Sequence, residues 1–288
     1  MSFLVNPVVM IGMFWVVPTG LALIDGPAPP GWQLLQRAWP LLAAPGALSL
    51  WLPRSGFATA LAAVYALATL ALALQAPARL MLTRSLRAAE IAILTALTAP
   101  AVAGLALVAE RASHPLFGFD LDILALTVPH FHFAGFAAAL VAGLLCRAAD
   151  SRTSRFAALS VPAGTLLVLL GYFVDDWAEL AGAVVLTAGM AAVSVLTLRE
   201  RHEFAADPLT RGLLAVSALV LVVTMLLALS WALGEATGLP HLSLTWTAAT
   251  HGLGNALGFA VCGLLARRRL TDRTSPSLPP RTRTELPA

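Results

Sequence analysis

The sequence predicts an all-α protein, a polytopic transmembrane helical bundle of about nine spans, and three observations carry that prediction. Apolar residues make up 59% of the 288 and charged residues only 11%, a balance that a water-soluble chain of this length does not put on its surface. Apolar runs near the ~20 residues that cross a hydrocarbon core as a helix recur along the chain. The Arg, Pro, Gly and Asp residues gather in short segments between those runs, which leaves no room for a soluble domain. A backbone in lipid must satisfy its own polar groups, so the runs are helices packed as a bundle.

The first span is expected over Pro7–Ile24. The residues ahead of it, MSFLVN, hold no Lys or Arg, so the basic start of a cleavable signal peptide is missing and the run is retained as a membrane helix. The second, Trp39–Leu52, is short and carries Pro40 and Pro45; a re-entrant segment there changes the span count and the side of the N-terminus. Gly56–Ala76 is the third, and Arg79, Arg84 and Arg87 follow it. The fourth, Arg87–Val108, carries Glu90 near its start. That carboxylate snorkels or pairs with Arg87, or, if the span begins earlier, joins a path across the membrane. The fifth, Leu121–Cys146, contains TVPHFHFAGF. The sixth and seventh, Phe156–Val174 and Ala178–Leu198, meet at Asp175, Asp176 and Glu179. Leu213–Leu233 is the eighth, and the ninth, Leu244–Ala266, carries His251 and Asn255.

Most Trp residues sit near span ends, as an interfacial aromatic belt does. Cys146 and Cys262 lack metal-type spacing and are expected as small packing residues. Asp150, Glu200, Glu203 and Asp207 fall in connecting segments and are expected as solvated surface. The chain therefore divides into a transmembrane domain, residues 1–266, and a basic tail, residues 267–288. The tail mixes Arg with Ser, Thr and Pro, lacks apolar periodicity and is expected to be disordered near anionic headgroups. Arg-rich connections alternate with acidic or nearly uncharged ones, which places the Arg-rich side and the tail in the cytoplasm and the N-terminus outside.

An ionisable group on a membrane helix costs roughly 2.5–3.5 kcal/mol on insertion scales, so it marks a partner or a task. His130 and His132, His251 with Asn255, and Glu179 all enter from the acidic side at similar depth, which points to a shared polar pocket in the outer half of the bilayer. On a regular helix residues two apart face nearly opposite ways, so His130 and His132 cannot both reach one pocket without a local break. Pro129 and Gly135 allow such a break; without it, one histidine faces the pocket and the other pairs with a neighbouring helix. His251 and Asn255 share a face, and Gly254 and Gly258 let another helix approach closely. Three readings of the cluster stay open: metal ligation or a bis-histidine haem, a proton relay or substrate site, and interhelical hydrogen bonding alone.

The segments TVPHFHFAGF and THGLGNALGF, with the acidic positions at Glu179 and Glu90, resemble the YndJ-like family of bacterial integral membrane proteins, often described as transporters without a defined substrate. The likeness covers most of the chain up to about Ala266. It implies a multi-pass inner-membrane protein whose His130, His132, His251 and Asn255 match the family's characteristic positions; Asp175 and Asp176 fall outside the pattern. The leading expectation is a transport or solute-binding protein that acts on a small or lipid-soluble molecule, with membrane lipid around it and no nucleic-acid partner. The alternative is an intramembrane isomerase, cyclase or hydrolase that uses histidine and carboxylate as acid and base. No Walker motif, Rossmann fingerprint, HExxH or nucleophile elbow is present, which argues against nucleotide-driven pumping by this chain.

Overall fold

The structure, a computed structural model, describes residues 2–203 and 207–274. All regular structure among these residues is helical, in nine long helices. They are α1 (Leu4–Ala22), α2 (Trp32–Ser49), α3 (Gly56–Thr83), α4 (Ala88–Arg111), α5 (Leu121–Ala148), α6 (Arg152–Gly171), α7 (Asp176–Glu203), α8 (Pro208–Thr237) and α9 (Leu244–Arg273). Eight of them are long and apolar enough to cross a membrane; α2 is the one that is not.

That exception comes from composition, because α2 mixes Gln33, Gln36 and Arg37 with its apolar residues. Its 18 residues still reach about 27 Å, and it starts at Trp32, ahead of the expected Trp39. Three side-chain bonds at three depths hold it antiparallel to α1. Gln36 Nε2 donates to Leu21 O at 2.9 Å, Trp39 Nε1 to Met13 O at 2.8 Å, and Asn6 Nδ2 to Leu50 O at 2.8 Å. The segment runs the full length of the bundle and does not turn back, despite Pro40 and Pro45.

Helix α5 forms the core: 78% of its apolar window is buried, the largest share of any span. The other eight helices close a ring around it in the order α1, α2, α3, α4, α6, α7, α8, α9 and back to α1. Close packing relies on small residues. A Cβ on Gly164 of α6 would stand 2.5 Å from the Leu186 backbone nitrogen of α7, so no larger residue fits there without moving the helices apart. Large apolar side chains such as Leu41, Leu67, Leu105 and Val223 face outward, as expected where the solvent is hydrocarbon.

Alternating helix direction puts Arg79, Arg84, Arg87, Arg147, Arg152, Arg155, Arg199, Arg201 and Arg211 at one end of the bundle, together with the start of the basic tail. Several helices overrun the expected spans at this Arg-rich end: α3 to Thr83, α7 to Glu203 and α9 to Arg273. Charged side chains end an apolar run without ending a helix, and here they find partners. Arg267 forms an ion pair with Glu200 Oε2 at 2.7 Å and ties α9 to α7. Asp207 caps α8 through Thr210 N at 3.0 Å and pairs with Arg269 at 3.3 Å and Arg273 at 2.8 Å. Glu200 and Asp207 are therefore not free surface, whereas Asp150 is exposed and pairs with Arg155 at 2.5 Å. The first residues of the expected tail, up to Thr274, are helical; residues 275–288 lie outside the described residues.

Two buried carboxylates hold α4 at its ends. Near the Arg-rich end Glu90, 6% exposed, meets Arg79 Nε at 2.5 Å and Arg147 Nη2 at 2.7 Å. Both arginines also donate to Asp25 O, at 3.0 and 3.1 Å, so four parts of the chain meet at one carboxylate. At the opposite end Glu110, 2% exposed, takes Arg54 at 2.9 Å and also Arg111, which reaches on to Ser49 O and Leu52 O at 3.2 Å each.

Candidate functional site

Helix α5 changes form within TVPHFHFAGF. After Pro129 and His130 the regular helix gives way to a π-helical stretch, Phe131–Ala138. Wider turns of this kind occur also at Gly12–Val16 of α1 and at Ala248–Gly252 and Gly254–Val261 of α9. Such stretches are uncommon in helices and frequent where side chains must be re-aimed for a task. Here the break does not bring His130 and His132 together.

His132 is fully buried and turned towards α1 and α3. Gly12 makes room for it, since a Cβ there would sit 2.8 Å from His132 Cγ. Its Nδ1 stands 2.7 Å from Val128 O; a carbonyl only accepts, so Nδ1 carries the proton of the neutral ring. Nε2 is then an acceptor for the Tyr65 hydroxyl at 2.5 Å. Tyr65 stacks on the imidazole with ring centres 6.0 Å apart and meets Trp39 edge-on at 6.2 Å. Both nitrogens of His132 are used, and the ring acts as a lock between α3 and α5. Tyr65 was not singled out from sequence, although a phenol in the middle of an apolar run is itself a signal, because a buried hydroxyl needs a partner.

His130 points the other way, into a cavity of about 380 Å³ enclosed by α1, α5, α6, α7, α8 and α9. It makes no hydrogen bond to any described residue. His251 lines the same cavity within electrostatic reach of His130. Its Nδ1 lies 2.7 Å from Thr224 O and its Nε2 3.1 Å from Asn255 Nδ2. Asn255 Oδ1 accepts from the Thr224 hydroxyl at 2.7 Å, which closes a small ring of bonds between α8 and α9. The close approach expected at Gly254 and Gly258 is to α8: a Cβ on either would be 2.5 Å from Thr224 or Val220.

Glu179, in the first turn of α7, lines the cavity with Tyr172 beside it. Thr187 and Thr247 also line it, and their hydroxyls make no hydrogen bond among the described residues. Four of the six singled-out residues, His130, His251, Asn255 and Glu179, therefore border one space. His132 and Glu90 do not. Glu90 sits near the opposite end of the bundle and is held by Arg79 and Arg147, not by Arg87 as expected.

Among the described residues no three His, Cys, Asp or Glu side chains gather as a ligand set, so the metal triad weighed from sequence does not assemble. A haem held through His132 does not fit either, because both its ring nitrogens already have partners. The arrangement suits hydrogen bonding to, or proton exchange with, a molecule inside the cavity, where neutral imidazole offers one donor and one acceptor.

No curated protein and no solved structure gives a significant match to the chain. The model of one family does match, over residues 7–259, which covers most of the chain and both histidine segments, and on that ground the chain belongs to the family described as YndJ-like protein.

Proposed function

We propose that this is a transport or solute-binding protein of the bacterial plasma membrane, with its Arg-rich end in the cytoplasm and its solute site in the outer half of the bilayer. The observation that supports this reading is the convergence of His130, His251 with Asn255, and Glu179 on one cavity from three distant stretches of chain. Intramembrane titratable groups are costly, and one such as His130, which lines a space without a hydrogen-bond partner of its own, is placed to meet something that enters it. His130 is the residue through which a solute and a proton exchange partners.

The test is flux through protein reconstituted in proteoliposomes, with a pH-sensitive dye inside, across a broad panel of small and lipid-soluble solutes. Solute-dependent proton movement that is lost in His130→Ala and His251→Ala supports the proposal. Absence of flux across the panel, with no phenotype for His251→Ala in cells, overturns it. A second reading draws on the lining of the cavity, which is mostly apolar and carries His130 and Glu179 among its few polar groups: acid–base catalysis on a lipid-soluble substrate. A lipid precursor that accumulates in a deletion strain, without any flux defect, selects that reading.

A further inference from the structure

The cavity is long as well as apolar. On α7 its wall runs from Glu179 to Met190, about 16 Å along a regular helix. Its volume of about 380 Å³ lies in the range that holds a drug-sized or single-chain molecule. Beyond the histidines the walls are Met190, Met225 and Phe259, adaptable and apolar. The polar groups fall into two levels. Glu179 lies about 5 Å from the start of α7, while His130, His251 and Thr187 lie about 10–16 Å from the starts of their helices.

The inner level holds only neutral groups that both give and take hydrogen bonds. The His130 ring has no hydrogen-bond partner among the described residues, and at the same level the Thr187 hydroxyl lacks one too. Threonine in a helix populates two χ1 positions, so that hydroxyl can swing to meet a guest. No Arg lines the cavity, so an anionic head finds nothing to pair with. A cationic head would pair with Glu179 at the outer level and leave the inner level unpaired.

Resting on the solute-binding reading above, we infer that the cavity takes a single-chain, largely hydrocarbon molecule with one neutral hydroxyl head, seated between His130 and the Thr187 hydroxyl. The head gives one hydrogen bond and accepts one at the inner level, and the chain lies along the apolar walls.

The experiment uses full-length protein in lipid nanodiscs and four probes of one chain length: a straight-chain alcohol, the matching carboxylate, the matching amine and the matching alkane, each brominated on the chain. Trp231 lines the cavity, so a bound probe quenches tryptophan emission, and Trp231→Phe identifies that part of the signal. The expected result is saturable quenching by the alcohol at concentrations where the other three fail. Alcohol affinity should fall about tenfold in His130→Ala, which removes hydrogen bonds to the head, and several-fold in Thr187→Val, which keeps the shape. Carboxylate, amine or alkane bound as well as the alcohol overturns the inferred head group and leaves a solute site standing. Failure of every probe to give Trp231-dependent quenching counts against the solute site itself. Retained alcohol affinity in both His130→Ala and Thr187→Val sinks the placement of the head.

Discussion

His130 and His132 stand two apart and have opposite consequences. His132 spends both nitrogens on Val128 O and Tyr65, so Tyr65→Phe leaves a buried acceptor unpaired and should cost about 1–3 kcal/mol. Thermal or denaturant unfolding in detergent checks this, and binding in the cavity should be unchanged. His130 makes no such bond, so His130→Ala should leave stability within about 1 kcal/mol of the parent and abolish solute-dependent proton flux. A large loss of stability in His130→Ala would mean that the ring is structural. From the 100° turn per residue, the sequence predicts opposite directions for the pair only on an unbroken helix, and Pro129 and Gly135 leave the other outcome open. Which one did which was not legible, because it depends on Gly12 and Tyr65, residues far away in the chain that shape the space around His132.

At the scale of helices, the places of strongest coupling are the ones a hydropathy reading passes over. Glu90 joins α3, α4 and α5 to the connection after α1 through Arg79 and Arg147. Removing one partner of a buried pair strands the other charge, so Glu90→Gln should cost about 3–5 kcal/mol, read from the same unfolding curves. Gly258→Leu should separate α8 from α9, because its side chain would meet Val220, and a cost of about 1–3 kcal/mol is expected for the overpacking. The Asp207 cap makes a pH prediction. Hydrogen bonds from Thr210, and then the charges of Arg273 and Arg269, hold its carboxyl well below the usual carboxylate range. A carboxyl lowered by folding stabilises the fold fully above its unfolded value of about 3.9 and loses that contribution only as pH falls further. Hydrogen exchange at the start of α8 and the end of α9 should therefore be insensitive to this group at neutral pH and rise only in strong acid. Span positions were legible because hydrophobic length is a local property. The ends of α3, α7 and α9 were not, because Arg79, Glu200 and Arg267 are charged in sequence yet buried or paired in space.

The molecule as a whole is a ring of eight helices around α5, a packing that no sequence periodicity displays. Its orientation is testable in intact cells after Cys146 and Cys262 are replaced by Ser. An impermeant maleimide should label Asp120→Cys directly and Arg152→Cys only after permeabilisation; the reverse pattern would turn the protein over. The membrane character and the polar segments were readable from composition and from two short motifs, while the cavity was not, since it exists only where helices far apart in sequence leave space. One last consequence follows from the paired clamps on α4. Glu90 and Glu110 are twenty residues apart, so two rings of charge sit about 30 Å from each other on one stiff rod, close to the depth of an ordinary oily layer. Tilting that rod would drag Arg79 and Arg147, or Arg54 and Arg111, into hydrocarbon. In a thinner sheet the lipids must stretch to meet the protein, and they bear the mismatch in its place.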